Sequence, residues 1–106
     1  MNRVTIVGKV VNNAEIILIN SPSGKQMPLV KFQVCDMGLP YQKSEPMTIE
    51  VQFMKEAASH IYEYLTKDKE VCIDGFLHEK KLSVRQVSKY YVIADYVTLL
   101  PLTKKN

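Results

Sequence analysis

Tryptophan is absent from this 106-residue chain, cysteine and histidine occur twice each, and glycine only four times. Each shortage excludes something. Cys35 and Cys72 stand apart with no CxxC spacing, and His60 and His78 do not cluster with them, so neither a metal site nor a disulfide framework is indicated. Thiols placed by packing in a reducing compartment fit the pattern better. No glycine-rich phosphate loop is present, the acidic residues are scattered and the histidines lie far apart, so no catalytic constellation forms and no cofactor is implied. His60 and His78 read as surface residues. No apolar run approaches the length of a membrane-spanning helix, and the first one is broken by Thr5 and Gly8, unlike a signal peptide. The expected location is the cytoplasm, at the nucleoid, or the interior of an organelle of bacterial descent.

What is present is an ordinary globular balance, 46% apolar and 24% charged, enough for a single core. One domain is expected over residues 1–101, with a short basic tail at 102–106. The formal net charge of +3 suits a polyanion partner without requiring one.

The chain's organisation is clearest at residues 47–77. Ile49, Val51 and Phe53 alternate with Thr48, Glu50, Gln52 and Met54, the period of two of a half-buried strand. Val71, Ile73, Gly75 and Leu77 alternate in the same way with Cys72, Asp74 and Phe76. Between these runs Ala57, Ala58, Ile61, Tyr62 and Leu65 fall at helical spacing, in a segment free of glycine and proline. The spacing predicts strand, helix, strand.

Residues 3–11 form a further strand, with Val4, Ile6, Gly8 and Val10 on one face and Arg3, Thr5, Val7 and Lys9 on the wetter, more basic one. A glycine on the inner face marks a bend or a close backbone approach. After the polar Asn12-Asn13 break an Ile-rich extended run covers residues 15–20. The turn chemistry of Ser21-Pro22-Ser23-Gly24-Lys25 then predicts a hairpin. Residues 29–36 are a second strand, with Val30, Phe32 and Val34 inward and Lys31, Gln33 and Cys35 outward. Residues 37–46 read as a loop carrying Tyr41 and Lys43. The stretch 78–88 is dense in charge, with Lys80, Lys81 and Arg85 close together and no strong apolar period, and reads as a long hairpin loop continued by Lys89. Residues 90–100 are the fifth strand, ended by Pro101. A mainly β, five-stranded OB-fold barrel with one α-helix between strands three and four matches this order, and another small α+β barrel is the alternative.

Met1-Asn2-Arg3-Val4 with Val7-Gly8-Lys9-Val10, the 21–25 turn, Tyr64-Leu65-Thr66-Lys67 and the run from Val71 to Leu77 resemble bacterial single-stranded DNA-binding proteins (SSB). The resemblance covers nearly the whole chain. It implies an OB barrel assembled into homodimers or homotetramers that binds single-stranded DNA in replication, repair and recombination. Ser21-Pro22-Ser23-Gly24, Gly75-Phe76-Leu77, Val87-Ser88-Lys89 and Ala94-Asp95 are also similar to primosomal replication protein N (PriB), a short branch of the same superfamily. With Thr103-Lys104-Lys105-Asn106 following the fifth strand, recruitment of partners through an acidic tail is not expected.

The departures are specific. Where the family stacks bases, this sequence has Gly38 with Tyr41 nearby, then Thr48 and Met54, then Leu82. Single strands are held by a cationic groove and by flat side chains, each stacked base contributing roughly 1–3 kcal/mol. The expected contacts are therefore Arg3, Lys9, Lys31, Lys55, Lys80, Lys81, Arg85 and Lys89 for phosphates, with Tyr41 and Phe76 for stacking and Met54 either under a base or in a subunit contact. Tyr90, Tyr91 and Tyr96 are assigned mainly to the fold, with room for one of them at the surface. Three functions follow: a non-enzymatic, sequence-tolerant single-stranded DNA binder, with RNA not distinguished; a PriB-like adaptor linking the strand to a helicase or another SSB; and an OB-fold oligomerisation or protein-interaction module. Replication proteins are possible partners in the second, and a membrane in none.

Overall fold

The alternating segments become strands. A computed structural model of the chain describes residues 2–36, 46–82 and 87–101. Its elements are β1 (Val4–Val10), β2 (Glu15–Asn20), β3 (Gln26–Asp36), β4 (Met47–Phe53), α1 (Ala58–Ile61) running into a 3-10 turn at Tyr62–Tyr64, β5 (Glu70–Leu82) and β6 (Val87–Leu99). Five strands close a ring in which β1 joins β3, β3 joins β4, β4 joins β6, β6 joins β5 and β5 returns to β1. The β4–β6 pairing is parallel and the others antiparallel. β2 continues the path of β1 along β3, since Val10 faces Val34 and Glu15 faces Lys31. The expected five-stranded OB barrel is therefore present, with its first strand broken into β1 and β2 at residues 11–14.

The core is the inward half of each alternation. Val10, Val30, Val34, Val51, Val71, Ile73 and Val92 are fully buried, and Phe32, Phe53 and Ala94 nearly so. Strand curvature needs room for the backbone at Gly8, where an added Cβ would collide with the carbonyl oxygen of Cys35. The 21–25 turn closes the β2–β3 hairpin as its residues predict. Ser21 N donates to Lys25 O at 2.8 Å, Gly24 N to Ser21 O at 2.8 Å, and Gly24 takes φ 83°.

Two expectations need correction. The helix is shorter than residues 57–65: Ala57 is exposed, and after Ile61 the chain tightens to 3-10 geometry. Ala58 and Leu65 are the fully buried anchors at this end of the barrel, and Leu65 O accepts a 2.9 Å bond from the Ala14 amide. Turning Leu65 into the core in so short a connection favours the tighter winding over a regular last turn. Residues 78–88 are also not a loop throughout. β5 runs on to Leu82 and β6 starts at Val87, in register from His78↔Tyr91 to Leu82↔Val87. Backbone pairing carries this ribbon beyond the core, so it needs no apolar period and shows none.

Candidate nucleic-acid interface

Outward positions on β5 and β6 stand beside one another in register. Phe76 faces Ile93, His78 faces Tyr91 and Lys80 faces Lys89, so these pairs form successive rungs on one side of the hairpin. The first rung extends sideways across the barrel wall. Ile93 neighbours Gln52 of β4, and Gln52 faces Lys31 of β3. On the other flank Gly75 faces Val4, which brings Arg3 beside Phe76.

The rings on this face are engaged. The Arg3 guanidinium lies 4.9 Å from the centre of the Phe76 ring, a contact worth about 0.5–1 kcal/mol at an exposed site. His78 and Tyr91 stack with centroids 5.6 Å apart at 26°. The Lys55 ammonium sits 4.8 Å from the Tyr96 ring centre. Tyr96 is 62% exposed, so its remaining surface is open.

A register shift builds the lower end of the patch. Asp74 faces Tyr96 while Gly75 faces Ala94, leaving Asp95 as the extra residue of a β-bulge. Ala94 is buried and Tyr96 exposed, and Asp95 meets the outer-face cations. Its carboxylate takes Lys55 Nζ at 3.1 Å and Arg3 Nη1 at 3.6 Å, and Lys55 also donates to the Asp95 carbonyl at 2.7 Å. The Lys55 hydrogen bond, with help from Arg3, holds the Asp95 carboxyl below its ordinary range. Alongside, Thr5 Oγ1 donates to Asp74 Oδ1 at 2.6 Å.

The structure sorts the expected contacts. It gathers Arg3, Lys55 and Phe76 into one cluster and sets Lys80 and Lys89 further along the same ribbon face, with Lys89 3.9 Å from the Glu50 carboxylate. Lys31 lies on the same outer row, across Gln52. Lys9 points outward but sits six residues up β1 from Arg3, about 20 Å along an extended strand. Lys81 alternates to the opposite side of the ribbon from Lys80. Met54 is exposed just past the end of β4, next to Lys55. Tyr41 and Arg85 lie outside the described residues.

Sequence reasoning missed Tyr91, Tyr96, His78 and Asp95. Assigning Tyr91 and Tyr96 mainly to the fold is corrected by their outward positions, which only the pairing and the bulge reveal. A strict alternation through residues 90–100 puts Tyr91 and Tyr96 on opposite faces, and the extra residue at Asp95 cancels that difference. Tyr90 is half exposed and borders an apolar hollow with Val4, Ile6, Met47, Ile49 and Leu77. Among the described residues no three His, Cys, Asp or Glu side chains group as a metal site.

The face thus offers several rings in line with cations, which is the equipment for binding a single strand. The model of the single-strand binding protein family matches residues 1–100. No curated protein matches the chain.

Proposed function

The chain belongs to the single-strand binding protein family, and from that premise we propose that it is a non-enzymatic, sequence-tolerant single-stranded DNA-binding protein of replication, repair and recombination. The strand runs along the outer face of the β5–β6 hairpin. One observation carries this reading: Tyr96, Phe76 and the His78–Tyr91 stack share a face with Arg3, Lys55, Lys80 and Lys89. Same-face neighbours on a strand repeat every ~6.8 Å, so the rungs provide stacking surfaces and phosphate partners in one line. Arg3, Lys55, Phe76, Lys80 and Lys89 are the principal contacts. Lys31 extends the groove, and Lys9 and Lys81 act at longer range.

The test is titration of labelled oligo-dT across a salt series. Binding at low salt should weaken steeply as salt rises, because phosphate contacts release counterions, and the paired change Lys80→Ala with Lys89→Ala should flatten the logarithmic slope by about 0.7 for each phosphate partner removed. Absence of binding at low salt, or binding indifferent to salt, would sink the reading.

An adaptor role of the PriB kind is the second reading. It is favoured by the mixed charge of the same face, where Glu50, Asp74 and Asp95 already engage Lys89, Thr5, Arg3 and Lys55. Such a surface suits a protein partner as well as a strand.

A further inference from the structure

We propose that Asp95 is an internal competitor for the DNA phosphates: its carboxylate holds Arg3 and Lys55 in the free protein, and a bound strand takes them over. The inference rests on the reading that this face binds a single strand, and it names what limits that binding.

Both cations are committed twice. Arg3 lies over the Phe76 ring at 4.9 Å and 3.6 Å from Asp95, and Lys55 lies over the Tyr96 ring at 4.8 Å and 3.1 Å from the same carboxylate. One face of each ring is therefore covered by a cation, and those cations are anchored by one acid. A base stacking on Phe76 or Tyr96 displaces the cation above it. The displaced cation finds a phosphate in place of the carboxylate.

The exchange is accessible. The side chains are 48% exposed for Arg3, 43% for Lys55 and 33% for Asp95, so all three can be reached from solvent. Surface ion pairs of this kind stabilise little, because water competes for both partners, and a phosphate is an equivalent anion. Arg3 has the longer contact and is released first. Lys55, with its further bond to the Asp95 carbonyl at 2.7 Å, is released second. The carboxylate itself repels the incoming backbone until its charge is matched.

The bulge makes the arrangement possible. An unbroken ladder would turn one of Asp95 and Tyr96 into the core, whereas the register shift leaves the acid among the outer-face cations beside an exposed ring. A carboxylate amid phosphate-binding cations lowers affinity, and what it supplies instead is ready release of the strand.

The experiment compares wild type, Asp95→Asn and Asp95→Ser in oligo-dT titrations over a salt series, with Phe76→Ala as reference and thermal melts to verify folding. Asp95→Asn and Asp95→Ser should bind roughly three- to tenfold more tightly at low salt, because the cations no longer have to be drawn off a carboxylate, while the phosphate contacts that set the salt slope are the same in every complex. Equal or weaker binding by both folded variants, while Phe76→Ala weakens binding, overturns the competitor role and leaves Asp95 as a positioning residue. No binding by any protein, wild type included, overturns the proposed function and this inference with it.

Discussion

Phe76, Arg3 and Asp95 show how little of a residue's role its type discloses. Phe76 stands at an outward position of an alternating strand, where a phenyl ring is poorly placed for the core, and Arg3 covers it. Asp95 is an ordinary acid until the bulge sets it against two cations. Its depressed folded pKa fixes the sign of a pH effect. A carboxyl that ionises more readily in the fold contributes stability above its unfolded value near 3.8, and that contribution is lost as pH falls through the lower folded value. Thermal melts of wild type and Asp95→Asn should therefore differ at pH 7 in favour of wild type and converge at pH values below the carboxylate range. A gap that persists undiminished in acid would mean that the ion pairs do not stabilise the fold. Tyr90 shifts the other way: its hydrogen bond to Glu79 and the charge of that carboxylate raise its pKa.

The β5–β6 hairpin is the element on which the proposed binding surface is built. Its bulge depends on Gly75, where an added Cβ would strike the carbonyl oxygen of Ile93 and the Ala94 Cα, both backbone atoms that cannot swing aside. Gly75→Ala should cost about 1–3 kcal/mol in urea unfolding, the usual penalty for forcing an extra carbon into a packed site. Unaltered stability would show that β5 and β6 separate without cost at the bulge. The same element explains why the charged stretch at 78–88 misleads when read by composition. Ladder hydrogen bonds define its arms as strand while the side chains from His78 to Lys81 remain solvated, so neither apolar periodicity nor turn chemistry marks them. The connection at α1 misleads in the opposite direction, since its apolar spacing suits a longer helix than the gap between Ala58 and Leu65 accommodates.

For the whole molecule, the ring closes while β2 reaches past it as an edge. Among the described residues β1 meets β3 at Lys9 and Val10, and residues 4–8 pair with β5. β2 ends the hydrogen-bonded order, and Val7, Ile17 and Leu18 are 56%, 48% and 67% exposed. Open edges with apolar side chains favour pairing with another chain. A homodimer or homotetramer is the expected assembly, and native mass measurement should detect it with and without oligo-dT. A monomer at micromolar concentration in both conditions would exclude it.

The order of residues alone marks most of the barrel's strands. Its inward residues, from Val4, Ile6 and Val10 through Val30, Phe32 and Val34 to Ile49, Val51, Phe53, Val71 and Ile73, alternate strictly, and a period of two with one face buried permits little other than curved strands around a core. The same alternation marks Arg3 and Phe76 as outward, while Lys55, Lys80 and Lys89 are candidates by charge. Which of them act together depends on long-range pairing. The β5–β6 ladder brings Tyr91 onto His78, the turn beyond β4 delivers Lys55 to Asp95, and the bulge exposes Tyr96. These are contacts between residues distant in the chain, fixed by strand register, and one inserted residue changes the register without leaving a local mark in composition or period.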